Sequence, residues 1–120
     1  MPDTQAGARP GTPMGHVELQ ILLALRQGPR HGYELMQEIA RATAGGISPG
    51  PGTLYVALRR LSSDGRIREL ASRPDDARQR RRYALAASGR AALSAELDRL
   101  GELLRRAEWP GMRIPKGQRA

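Results

Sequence analysis

The chain has 120 residues, 20 Lys and Arg against 12 Asp and Glu, a formal charge of +8, no cysteine, no Phe and one Trp. That length accommodates one compact domain; the missing cysteines exclude disulfide scaffolds, thiol nucleophiles and cysteine-based zinc sites, and two histidines cannot build a three-histidine centre. The basic excess points to a polyanion, nucleic acid being the commonest soluble one, while hydrophobics at 39% and aromatics at 3% leave a thin core of Leu, Ile, Val and Ala that a partner subunit would complete.

Residues 1–13 are rich in Gly, Pro, Thr and Asp without periodicity and read as a disordered arm, with no apolar stretch of the kind a signal peptide needs. Val17, Ile21, Ala24 and Leu25 then recur at four- and three-residue spacing and predict a first helix over 15–27, stopped by Gly28 and Pro29. The longest apolar run, 21–25, falls far short of the roughly 18 residues of a membrane-spanning helix, so a soluble, cytoplasmic protein with no membrane partner is expected. A second helix follows Arg30, with Leu35, Met36, Ile39 and Ala40 as its stripe, and ends at Ala44, Gly45 and Gly46. The Pro and Gly of 48–52 exclude helix there, and Thr53 opens a third amphipathic stretch that runs to Asp64 and stops at Gly65.

Beyond Gly65 the period changes. Residues 66–72 form a weak strand candidate, Pro74, Asp75 and Asp76 a turn, and Arg81, Tyr83 and Leu85 alternate as a strand does, so a β-hairpin is predicted. The last helix, 88–108, is the clearest: Leu93, Leu97, Leu100, Leu104 and Ala107 step by four, three, four and three, which is a coiled-coil seam and marks these five as the dimerisation residues. Its charges balance, and the chain shows no internal repeat. Trp109 closes the helix ahead of a polar tail.

Three helices followed by a hairpin is the order of a winged helix-turn-helix, whose third helix enters the major groove and whose wing touches the backbone. The expected fold is thus mainly α with a small β-hairpin: a disordered arm over 1–13, a winged helix-turn-helix over 14–86, a dimerisation helix over 87–109 and a flexible tail over 110–120. The charge agrees with that order. Between Arg59 and Arg82 lie nine arginines and four acids, so the third helix and wing carry most of the basic surplus.

At about 100° per residue, Leu54, Ala57, Leu58 and Leu61 of the third helix cluster on a core face. Val56, Arg59, Arg60 and Ser63 fall opposite, with Thr53 and Tyr55 on the flanks. An arginine fork takes guanine O6 and N7 together, which assigns Arg59 and Arg60 to base edges, while Val56 offers contact to a thymine methyl. Thr53 and Tyr55, near the helix N-terminus, suit phosphate, and Arg78, Arg80 and Arg81 supply the wing. Two exposed arginines on a short helix are often only a solvated face, and a basic run serves solubility as well; it is their combination with the helix order and the hairpin that gives them meaning. His31 reads as a structural contact, Asp75 and Asp76 as a turn tip, and Ser62 and Ser63 lack a base or an oxyanion motif, so no enzyme, catalytic residue, metal or cofactor is expected.

The blocks His31-Gly32-Tyr33-Glu34-Leu35, Pro51-Gly52-Thr53-Leu54-Tyr55, Leu58-Arg59-Arg60-Leu61 with Gly65, and Arg82-Tyr83-Ala84-Leu85 with Gly89-Arg90 resemble the PadR family of bacterial transcriptional regulators over about residues 15–109. The resemblance implies a homodimer of winged subunits joined through the C-terminal helix with help from the first, binding an inverted repeat in double-stranded DNA, usually as a repressor. A single C-terminal helix is similar to the shorter class of that family. The resemblance also implies a small aromatic or cationic effector near the dimer interface, for which Trp109 is the candidate contact. It further suggests that Gly32 allows a tight helix entry and that Tyr33 presents its hydroxyl to the DNA backbone.

Three positions depart from the family's pattern. Val56 replaces a Pro after the helix Tyr and alters the groove-facing surface; Ala86 replaces a capping Thr, making Ser88 the substitute cap; and Arg66 replaces an apolar residue, pointing either to a backbone contact or to water. The rival to a DNA-binding repressor is a protein docking module that uses the winged helix without DNA, and DNA binding by the purified chain discriminates between them.

Overall fold

The computed structural model describes residues 14–71 and 81–108. Four helices and three short strands follow in the order α1 (His16–Leu25), β1 (Arg30–His31), α2 (Gly32–Ala42), α3 (Pro51–Ser63), β2 (Ile67–Leu70), β3 (Arg82–Leu85) and α4 (Ala87–Ala107). The arm at 1–13, the wing-tip arginines Arg78 and Arg80, Trp109 and the tail lie outside the described residues.

The core is what the leucine-rich composition requires. Leu19, Ile21, Leu22 and Leu25 of α1 pack with Leu35 and Ile39 of α2, Leu54, Ala57, Leu58 and Leu61 of α3, and Ile67, Tyr83 and Leu85 of the sheet; Leu93 adds the first turns of α4. The four helices, β2 and β3 thus contribute apolar residues to one cluster, and α1 lies at the centre of it, touching α2, α3, α4 and β3.

Two local predictions need correction. Pro51 and Gly52 are the first two residues of α3 and not a loop, with Gly50 as an extended N-cap. Proline at the first helical position is compatible with a helix because its φ is preset and its missing N–H would have had no intrahelical partner. The predicted hairpin is present as β2 and β3; what has to be added is a third strand, β1, in an antiparallel sheet of order β1-β3-β2. Arg30 pairs with Tyr83 and His31 with Arg82, while Ile67 to Leu70 pair with Leu85 to Arg82. A two-residue strand carries no alternation to read, so β1 exists only through its tertiary pairing.

The start of α4 differs as well. Ala86, with an extended backbone, remains the N-cap, and Ser88 sits inside the helix, where its Oγ donates to the Gly65 carbonyl at 2.8 Å. The Ala86 N–H donates to the Arg66 carbonyl at 3.0 Å. Gly89 lies so close to that carbonyl that a Cβ would collide with it. The first turn of α4 therefore docks on the turn that ends α3, and Arg66, expected at a DNA backbone or in water, is buried beneath it at 7% exposure.

The seam of α4 divides. Leu93 belongs to the subunit's own core and Leu100 packs partly against it, whereas Leu97, Leu103 and Leu104 are exposed. Leu93, assigned from spacing to the dimer seam, is spent within the subunit because the first half of α4 lies on α1.

Candidate nucleic-acid interface

α3 is held by its leucines, with Leu54, Leu58 and Leu61 almost fully buried. Its opposite side is therefore fixed in solvent. Val56 stands at the centre of that side, 49% exposed, with Ser63 also exposed. Arg59 and Arg60 flank it, and they turn in opposite directions.

On one flank, Arg59 borders a cleft of about 500 Å³ between α3, the start of α2 and the sheet, lined among others by Tyr33, Tyr55, Ser62, Glu69, Arg81 and Tyr83. The chain has three tyrosines, and all of them line this cleft. Tyr33 is exposed, and its hydroxyl accepts a 3.3 Å hydrogen bond from Gln37 Nε2. Tyr55 lays its phenol over Gly32, where any Cβ would strike the ring and hydroxyl. The His-Gly-Tyr and Gly-Thr-Leu-Tyr blocks are thus two halves of one contact. Gly32 is required for the approach of Tyr55 more than for a tight helix entry, since its neighbour His31 provides an ordinary extended N-cap. That N-cap is structural, as expected for His31: its N–H donates to Glu34 Oε1 at 2.7 Å.

Tyr83, buried in β3, forms the cleft floor. Its phenol is held above the ordinary tyrosine range, first by burial and then by the nearby Glu69 and Tyr55 oxygens, with Arg81 opposing. Arg81, just before β3, pairs with Glu69 of β2 at 3.2 Å. Among the described residues Arg59 has no carboxylate partner.

On the other flank Arg60 reaches towards α1, where its Nη1 lies 3.4 Å from Glu18 Oε2. Thr53, at the exposed N-terminal turn of α3, shares that side of the helix. The structure thus brings Tyr33, Tyr55, Arg59 and Arg81 around one cleft, sets Val56 and Ser63 on the crown beside it, and leaves Arg60 and Thr53 across the helix. Phenol hydroxyls and guanidinium forks at this spacing can donate to phosphate oxygens and to base edges. Sequence reasoning missed Glu69 and Tyr83, although the alternation of Arg81, Tyr83 and Leu85 put Tyr83 on one face with Arg81; nothing in the sequence placed Glu18 beside Arg60.

A profile of the Transcriptional regulator PadR-like family matches residues 21–95. The chain belongs to the PadR family. Transcriptional regulator Rv3488 of Mycobacterium tuberculosis is 40% identical to this PadR-family chain over 89 residues, which cover 74% of the chain and 79% of that protein. A transcriptional regulator from Clostridium thermocellum has a similar structure, with a TM-score of 0.68, 26% identity, and 77% of this chain and 85% of the other covered. Bacillus subtilis PadR, solved in complex with operator DNA, shares the fold with a TM-score of 0.62 at 22% identity over 85% of this chain and 54% of its own. The PadR-family fold of this chain is accordingly a winged helix-turn-helix followed by one long helix. None of its described helices is long and apolar enough to cross a membrane, and the described residues contain no cluster of three or more metal-ligating side chains.

Proposed function

We propose that this PadR-family regulator is a homodimeric, sequence-specific DNA-binding repressor that recognises a pseudo-palindromic operator and is released by a small aromatic or cationic effector. The observation that carries the reading is the convergence of Tyr33 of α2, Tyr55 and Arg59 of α3, and Arg81 ahead of β3 on one cleft beside the exposed crown of α3. A solvated charged face has no reason to gather every tyrosine of the chain beside two arginines. The solution of a PadR protein on operator DNA supports the same use of the fold.

In this reading α3 lies in the major groove. Arg59 and Arg60 address base edges and Val56 a thymine methyl. Thr53, Tyr33, Tyr55 and Ser63 hold the backbone, and Arg78, Arg80 and Arg81 of the wing follow it. The exposed Leu97, Leu104 and Ala107, with Leu100 at their edge, join two copies, and Leu103 extends that surface. The two-fold sets the recognition helices about one or two DNA turns apart, which dictates the inverted repeat. Trp109 is the proposed effector contact, checked by its fluorescence quenching across a panel of aromatic and cationic compounds.

The test is fluorescence anisotropy of the full chain on the DNA upstream of its own coding region, beside a scrambled duplex, across a salt series. Preference for the upstream DNA by a dimer, with Arg59→Ala erasing the preference, supports the reading. A dimer that binds neither duplex at physiological salt overturns it in favour of the docking module.

A further inference from the structure

Arg60 stands apart from the other arginines of the interface because its partner comes from a distant part of the chain. Glu18, in the first turn of α1, keeps 15% of its side chain exposed while Arg60 keeps 66%, and the two meet at 3.4 Å. The Glu18 carboxylate also sits near the start of its own helix. Its Oε1 lies 3.5 Å from the point a Cβ on the N-cap Gly15 would occupy, so it folds back over the helix start, where free N–H groups and the helix dipole favour a negative charge.

The helix start also borders α4. Glu96, 2% exposed, binds Arg99 through a 2.7 Å ion pair, and the Met14 backbone, which leads directly into α1, helps to hold its carboxyl below the usual range. The carboxylate that Glu18 presents to α3 thus comes from a helix that packs on both α3 and α4.

An unrestrained arginine on a DNA-facing helix reaches for the nearest phosphate whatever the sequence. A carboxylate that engages the guanidinium from one side favours the rotamers that reach it and partly cancels its charge, while the remaining N–H groups stay able to donate. Generic attraction falls, and discrimination rises because only a correctly placed base acceptor meets the fork. We propose that Glu18 is a specificity-determining positioning residue, which holds Arg60 on the α1 side of α3, aims it at base edges and keeps it off the phosphates. This rests on the DNA-binding reading above.

The experiment uses the full chain, a duplex that the wild-type protein selects from a random-sequence pool, and a scrambled duplex of the same composition. Glu18→Gln is expected to tighten binding to the scrambled duplex about three- to tenfold, to lower the selected-to-scrambled ratio about tenfold, and to steepen the log–log salt slope by about 0.9, the increment of one added phosphate contact. In an Arg60→Ala background Glu18→Gln should change neither ratio nor slope, since Glu18 acts through that arginine. If Glu18→Gln only lowers the melting temperature and leaves ratio and slope intact, Glu18 is a helix-start residue and the inference is overturned. An equal effect with and without Arg60 overturns it too. A wild-type protein that selects no duplex defeats the DNA-binding reading itself, a result distinct from both.

Discussion

α3 and α4 carry the same four-three leucine rhythm and use it differently. In α3, Leu54, Leu58 and Leu61 are buried to 1% exposure or less, whereas in α4 Leu93 is 4% exposed but Leu97 is 40% and Leu104 51% exposed. The difference lies in their neighbours. α3 is enclosed by α1, α2 and β2, while α4 rests chiefly on α1 and outruns it. Periodicity announces that a stripe will be covered; it does not say whether the same subunit or another molecule covers it.

The largest effect should come from the enclosed helix. Leu58→Ala is expected to cost about 2–5 kcal/mol in urea denaturation, much of what a domain of this size possesses; Leu104→Ala should change the stability of the isolated subunit by about 0.5 kcal/mol or less. Equal losses would erase the contrast between the helices. Next, Leu97→Glu combined with Leu104→Glu should abolish the proposed dimer in sedimentation velocity while circular dichroism retains the winged body, because each glutamate would be an unpaired charge in an apolar contact. A dimer that survives places the interface elsewhere.

Gly32→Ala tests the α3 face that the tyrosines share. A methyl there must displace the Tyr55 phenol, with an expected cost of about 1–3 kcal/mol and a weaker affinity for DNA; unaltered melting and binding would mean that Tyr55 moves aside freely. The acid response then separates the two helices. Glu96 on α4 is held below the ordinary carboxylate range, first by the Arg99 hydrogen bond and then against opposing burial by the Arg99 charge and the Met14 backbone. With the folded value depressed, its contribution is complete above the unfolded carboxylate pKa of about 4.3 and disappears as the pH falls through the lower folded value. Melting curves below that pH should thus drop less steeply for Glu96→Gln than for the wild type. The smallest change is expected from Arg81→Ala: a shallower salt slope, by about 0.9, on every duplex alike.

Much of the fold was legible. The stripes of α1 to α3, the change of period after Gly65 and the neutral, leucine-stepped last helix were all set by residue type and spacing. The illegible parts share a cause. β1 is too short to have a pattern, Pro51 and Gly52 resemble loop residues until Gly50 is seen to cap them, and the substitute cap at Ser88 failed because its hydroxyl found Gly65 across the turn. At the interface, residue types gave a list of candidate donors, while the partners that draw them to two sides of α3 came only with the third dimension.

The sequence by itself determined that this is a basic, cysteine-free, mainly helical chain with its positive charge concentrated from Arg59 to Arg82, because composition, period and charge are local properties. Tertiary structure alone decided which arginine meets which acid, that Arg66 is buried, that Gly32 makes room for Tyr55, and which leucines of α4 remain uncovered. Each of these depends on atoms far apart in the chain being pressed together by the burial of one leucine core, and no local pattern encodes that distance.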